Sequence, residues 1–301
     1  MKRYFFKDIL VCEMCGDKTE KHRILGQRLN KSQGLHPKNK TGITVSIQKC
    51  TNCRLIYSNP QPIPFDLQDH YGKPPEAYWK EKYFEWQPEY FKTQIDEASA
   101  LLDFKPGMKA LDVGAGLGKA MLSMQNKGFD VYGLEPSVPF FERAISKMGI
   151  PPEKLKSGAI EELDYEPEFF DFITFGAVFE HLYEPSACLN KAFGWLKPNG
   201  IIHIEVPSSD WLLPKFINLY FRLIGTNYVT NLSPMHPPFH LHEFSLKSFH
   251  QLAEKQNFTI EKHRYDVATI FFFPKIFHGI LRSYMAATDK GMQLTVYIRK
   301  R

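Results

Sequence analysis

The sequence has no uncharged apolar run approaching the roughly 20 residues that cross a bilayer, so no transmembrane segment is expected. Its opening, MKRYFFKDILVCEMCG, lacks an apolar stretch of the length a secretory signal needs. The expected compartment is therefore cytoplasmic. Neither sign of charge dominates: 38 Lys and Arg stand against 33 Asp and Glu, a formal +5. No long basic run is interleaved with aromatics, so nucleic acid is not an expected partner. Internal repeats and low-complexity tracts are also missing, which excludes solenoids and linker-like disorder. Cysteine is scarce at five residues, but four of them fall in the first 60. In a reducing compartment such pairs point to metal before disulfide.

What is present suits a globular chain. Its 301 residues, 43% hydrophobic and 24% charged, are enough for one substantial core and a smaller appended unit. Phe alone supplies 25 residues, read here chiefly as core. The chain divides by composition. Residues 1–60 read as a small zinc-ribbon-like domain. Residues 61–97 read as a proline- and aromatic-rich linker and arm, with a helix expected over 76–91. Residues 98–301 alternate strand-like and helix-like segments, with an insertion at about 207–245.

That alternation predicts an α/β fold: a Rossmann-like, doubly wound, mostly parallel sheet with helices on both faces. KALDVG, DVYGLE, FDFITF and IIHIEVP read as strands. Between them, KAMLSMQNK is a helix stopped by Gly128, and SVPFFERAISKMG is a helix with Ser137 as cap and Pro139 in its first turn. FTIEKHRYD and MQLTVYIRK read as a closing antiparallel pair at one edge.

The two knuckles CEMC (Cys12, Cys15) and CTNC (Cys50, Cys53) carry four thiolates at a spacing that suits tetrahedral zinc, with iron as the minor alternative. No cysteine remains to leave that ion an open position, so its expected role is structural. The fifth, Cys188, lies in a helical pattern and reads as a buried, inert thiol.

ALDVGAGLG places Gly114, Gly116 and Gly118 at alternate positions after a strand. A dinucleotide loop needs its third glycine where Lys119 stands, and a Walker loop needs Ser or Thr where Ala120 stands. The D-x-G-x-G-x-G spacing from Asp112 to Gly118 resembles instead the first motif of class I S-adenosylmethionine-dependent methyltransferases. The resemblance covers about residues 98–206 well. It implies S-adenosylmethionine as cofactor, with the glycine backbone against its methionine portion and Glu135, ending the second strand, accepting both ribose hydroxyls. A dehydrogenase uses the same carboxylate device, so the glycine spacing decides between the two. Asp112 has two readings: orienting loop amides, or meeting the cofactor's ammonium through water. By the same match SGAIEEL places Ala159 and Ile160 near the adenine with Glu161 as a hydrogen-bond partner, and Phe175–Gly176 closes over the methionine end. The cysteine unit followed by CRLIYSNPQP and HYG is similar to bacterial methyltransferases of sugar and polysaccharide biosynthesis.

The acceptor implied is a small molecule, a sugar or a polysaccharide or lipid-linked precursor, with O-methylation favoured over C- or N-methylation. The insertion reads as the acceptor wall. His181, His240 and His242 are the candidates for a general base. A second metal on the insertion's histidines is not expected, because no carboxylate spacing completes a ligand set. Glu180, beside His181, reads as fixing a helix N-terminus. Residues 267–285, apolar yet basic, read as a helix covering the pocket or a homodimer surface, with membrane-surface contact as the further reading. The rival to an enzyme is a scaffold that keeps the fold and the cofactor without turnover.

Overall fold

The computed structural model describes residues 3–30, 43–77, 84–267, 270 and 273–301. Five short strands open the chain: β1 (Tyr4–Lys7), β2 (Arg23–Leu29), β3 (Thr44–Lys49), β4 (Ile56–Ser58) and β5 (Gln61–Pro64). β2, β3 and β4 form an antiparallel meander, and β1 pairs antiparallel with β5. On β3, Val45 and Ile47 alternate inward, the period-2 pattern of a strand with one buried face.

A short helix α1 (Gln68–Tyr71) follows, then α2 (Lys92–Leu102). The helix expected over 76–91 is not formed across its described residues. Residues 75–77 make a 3-10 turn, Phe84 is again in 3-10 conformation, and residues 78–83 lie outside the described part. Helix begins after Pro88, once Phe91 has taken a left-handed conformation at φ 60°.

The alternating region follows its pattern closely. β6 (Lys109–Val113), α3 (Lys119–Lys127), β7 (Asp130–Glu135), α4 (Val138–Ser146) and β8 (Leu155–Ser157) lead to β9 (Phe170–Gly176), α5 (Pro185–Trp195) and β10 (Leu196–Pro207). Ser137 caps α4 by accepting the Phe140 N–H, with Pro139 in the first turn. The insertion supplies α6 (Leu212–Leu223) and the two-residue β11 (His242–Glu243). Then come α7 (Leu246–Gln256), β12 (Phe258–Asp266), α8 (His278–Ala287) and β13 (Gln293–Lys300). Ser245 caps α7 in a reciprocal pair with Ser248, while Phe249 and Leu252 face the core.

The main sheet runs β12-β13-β10-β9-β6-β7-β8. β13 alone runs against the other six. After β6 the chain winds outward to β8, then returns to lay β9 on the other side of β6. The order reverses between β6 and β9, and that reversal leaves a crevice at the strands' carboxyl ends.

The first 60 residues do not stand apart. β4 pairs with β11, so the cysteine-bearing meander shares its sheet with the insertion. Gln27 and Val229 also exchange backbone contacts, with Gln27 donating to Asn227 and accepting from Val229. Cys12, Cys50 and Cys53 belong to the same buried cluster as Phe244, Phe249 and Leu252. α8 packs on α6 through Met285 and Leu213 and borders no part of the cavity described below, which corrects the expectation of a pocket-covering helix.

Candidate functional site

The loop after β6 reverses through Gly114, Gly116 and Gly118, all with positive φ. Each has its own reason to lack a side chain. A Cβ on Gly114 would stand 2.5 Å from Val178 Cγ2, because the loops after β6 and β9 meet there across the crevice. A Cβ on Gly118 would meet Ile150 at 2.6 Å, a packing constraint. At Gly116 only the Phe140 ring, 3.9 Å away, lies within contact range, so a Cβ would stand in open space.

That space is a cavity of about 560 Å³, within the range of small-molecule sites. Gly114, Gly116, Glu135 and Ala159 line one side. α1 contributes His70 and Tyr71, the turn after β9 contributes Val178 and His181, and the insertion contributes Pro237, Pro238 and Phe239. Phe239 stacks on His70 with ring centroids 4.0 Å apart. The Ser137 hydroxyl donates to the Tyr71 carbonyl at 2.6 Å, which fixes α1 against β7.

Glu135 is 6% exposed. Its Oε2 accepts the Gly116 N–H at 2.6 Å and its Oε1 accepts the Ser137 N–H at 2.7 Å. Each oxygen keeps a lone pair for a ligand. Burial pushes its carboxyl up to about 7, against the pull of those two amides. Burial, and then the neighbouring Glu135, pushes Asp112 up to about 8. Two carboxyls so close in a dry site resist being ionised together.

The cavity gathers Gly114, Gly116, Glu135, Ala159, Glu161 and His181 from the residues singled out in the sequence. Asp112, Gly118, Ile160 and Gly176 are not on its lining; Ile160 is 3% exposed and packs into the core. His242 is also off the lining. It is buried on β11 opposite Tyr57, with Nδ1 unpaired, so it is no base for a ligand in this cavity. Sequence reasoning missed α1 and Phe239, whose only signal was the proline punctuation around them.

Glu180 departs most from its expected role. It lies in a 3-10 turn, Phe179–His181, well before α5, and its side chain is 2% exposed. It faces His181 and His240, and these three offer ligand atoms within 4.8 Å of one another. The carboxylate that the sequence spacing failed to supply is therefore present, brought from far along the chain by the fold. Burial pushes Glu180 up to about 8, His181 down to about 4 and His240 down to about 3.

The four knuckle cysteines converge as expected. Cys12 Sγ lies 3.4 Å from Cys53 Sγ, and Cys15 Sγ lies 3.6 Å from Cys50 Sγ. Sulfurs placed tetrahedrally about 2.3 Å from one ion stand about 3.8 Å apart, so the cage can hold a metal ion after slight expansion. Cys188 is buried in α5, and burial raises its thiol, as an inert cysteine requires.

A doubly wound sheet of seven strands, one reversed, with a glycine loop and an acidic strand end at its crevice, is the class I methyltransferase architecture. The comparisons agree. A family model described as a methyltransferase domain matches residues 83–263, and the chain belongs to that family. It is similar to the ubiquinone biosynthesis O-methyltransferase of Rhodopseudomonas palustris, 27% identical over 131 residues, 42% of this chain and 49% of that protein. The corresponding enzyme of Marinobacter nauticus is 30% identical over 151 residues, 46% and 57% of the two chains. Phosphoethanolamine N-methyltransferase 3 of Arabidopsis thaliana is 29% identical over 123 residues, 38% and 25%. The chain thus spans about half the length, 49–57%, of the ubiquinone biosynthesis O-methyltransferases cited. Among solved structures, a SAM-dependent methyltransferase from Archaeoglobus fulgidus aligns with TM-score 0.49 and 17% identity, covering 73% of this chain and 97% of that one. Among the described residues, no helix is long and apolar enough to cross a membrane.

Proposed function

We propose that this chain transfers a methyl group from S-adenosylmethionine to a hydroxyl of a small-molecule acceptor. The observation that carries the reading is the pairing of Glu135 with the open Cα of Gly116 on one wall of the cavity, at the reversal of the sheet. These residues suit the cofactor. Glu135 offers lone pairs to a ribose diol, Gly114 and Gly116 leave backbone bare, and Ala159 and Glu161 flank the adenine place. Off the lining, Gly118 packs on Ile150, Ile160 lies in the core and Asp112 is buried near Glu135. When bound, S-adenosylmethionine supplies an electrophilic methyl group; the chain supplies alignment and exclusion of water.

The opposite wall, built from α1, the turn after β9 and residues 237–239, is the acceptor side. His181 stands there as a group able to take a hydroxyl proton, and the His240 ring, off the lining, lies 5.0 Å from it. The O-methyltransferase relatives favour oxygen, and the sugar or polysaccharide class rests on the resemblance of the cysteine unit. In this reading the cysteine cage holds structural zinc and braces the acceptor wall through β4 and β11.

The outer faces of α6 and α8 suggest where a lipid-linked acceptor is met. Leu219, Leu223, Ile276 and Ile280 are exposed there, beside Lys215, Arg222, Lys275 and Arg282. Neither 211–242 nor 267–288 contains an acidic residue. This face fits an anionic bilayer surface, with apolar side chains entering and cations meeting headgroups.

Calorimetry with S-adenosylhomocysteine tests the central reading. Saturable binding is expected, and a folded protein that shows none overturns it.

A further inference from the structure

Glu180 Oε1 lies 3.9 Å from His181 Nε2 and 3.7 Å from His240 Nε2. Both separations are too long for a hydrogen bond. The second carboxylate oxygen, Oε2, is buried without a partner among the described residues. A buried carboxyl group and two imidazole nitrogens, all with ligand atoms within 4.8 Å of one another, converge as metal ligands do.

The nitrogens are oriented for this. His181 Nδ1 lies 3.4 Å from the Phe239 carbonyl, whose acceptance of the Nδ1 proton leaves the Nε2 lone pair turned toward Glu180. Metal-bound histidines are commonly held this way. The Leu241 N–H donates to the Glu180 carbonyl at 2.9 Å, locking the backbone beside His240 to the turn that carries the other two groups.

We infer that Glu180, His181 and His240 form a second metal site, for a divalent cation of the zinc type, on the acceptor side of the cavity. Two imidazoles and one carboxylate, with a remaining position open, form a donor set of catalytic zinc. Such ligands stand about 3.4 Å apart around an ion at about 2.1 Å, so the two carboxylate–imidazole separations need shorten by only a few tenths of an ångström. His181 lines the cavity and the His240 side chain is 27% exposed, so the open position faces an incoming acceptor. With both Nε2 lone pairs on the ion, the ion would replace the histidines as the means of removing the acceptor's proton: a hydroxyl bound there would release it to water more readily. That use rests on the methyl-transfer reading; binding of the ion does not.

The test uses the untagged chain, dialysed to equilibrium against zinc alone, with bound metal counted by mass spectrometry. Two equivalents per chain are expected. Glu180→Gln and His240→Ala should each hold one, and Cys50→Ser should lose the other. The cysteine-bound zinc reports folding of each variant. Should Glu180→Gln lose both, His240→Ala, altered at the rim, decides. One equivalent in the native chain, or two retained in both variants, overturns the site. S-adenosylhomocysteine binding, measured in parallel, separates this outcome from failure of the methyltransferase reading.

Discussion

Glu135 accepts the Gly116 N–H at 2.6 Å, so the carboxylate that ends β7 also holds the loop that ends β6. Loop shape, and in the proposed reading cofactor contact, therefore depend on one side chain. Glu135→Ala removes an acceptor from the ligand and strands the Gly116 and Ser137 amides. Affinity for S-adenosylhomocysteine should fall by about 1.5–3 kcal/mol, roughly tenfold to 150-fold, by calorimetry. Melting temperature should fall too. An unchanged affinity removes Glu135 from the cofactor site.

Gly116 and Gly118 separate binding from packing. Alanine at either must adopt a left-handed conformation at about 1 kcal/mol. At Gly118 the new methyl also presses on Ile150, adding about 1–3 kcal/mol of overpacking. Gly118→Ala should therefore be the less stable protein by urea denaturation. Gly116→Ala should show the larger loss of cofactor affinity. The reverse ranking contradicts the roles assigned to the two glycines.

Removing metal from the cysteine cage should reach beyond the knuckles. The Ser245 hydroxyl donates to the Cys53 carbonyl at 2.7 Å, and the cysteines share a core with α7. Cys50→Ser should expose amides of β3, β4 and α7 to hydrogen exchange, while β6 and β7 stay protected. Exchange confined to residues near the two knuckles would refute this coupling.

His203 on β10 is fully buried, with Nδ1 2.8 Å from the Thr174 hydroxyl and rings of Phe91 and Tyr297 around it. Burial, and then Arg264, pushes it down to about 3, so it folds neutral. A depressed histidine binds its proton more readily in the unfolded chain. Its stabilising contribution is complete above about pH 6.5 and is lost as pH falls toward 3, at up to about 1.4 kcal/mol per unit. His203→Gln should flatten the loss of stability between pH 7 and 5 by about one proton's worth. Denaturant midpoints across that range measure it, and an unchanged slope excludes His203 as a contributor.

The α6–α8 face makes a separable prediction. The chain should co-sediment with vesicles containing phosphatidylglycerol and not with neutral phosphatidylcholine ones. Leu223→Asp with Ile280→Asp should abolish this while leaving S-adenosylhomocysteine binding unchanged. A dimer in solution that ignores both vesicle types would assign the face to a second copy.

Much of the cofactor side could be read in the chain because its determinants are local. A glycine spacing, a carboxylate at a strand end and the caps Ser137 and Gly128 each declare themselves within a few residues. The closing pair β12 and β13 was visible for the same reason, through short apolar runs bounded by turns. The acceptor side was not legible, because it is assembled from distant pieces. Glu180 meets His240, and α1 meets Phe239, only once the insertion folds back over the sheet. His242 looked equivalent to His240 in sequence, yet His240 faces Glu180 while His242, two positions on, is paired into a small sheet. The arm helix was misplaced because its expected span includes Pro88, which disfavours helix at the residue before it; the helix starts at Lys92.

The pairing of β4 with β11 ties together two places that the linear order keeps far apart. The cysteine cage, proposed to hold an ion, sits at one end of this strand ladder, and residues 237–240 hang from the other. Loss of that ion should slacken the far wall of the cavity and spare the near one. Starved of zinc, the molecule would still grip its nucleoside while losing its ability to choose what is presented to it.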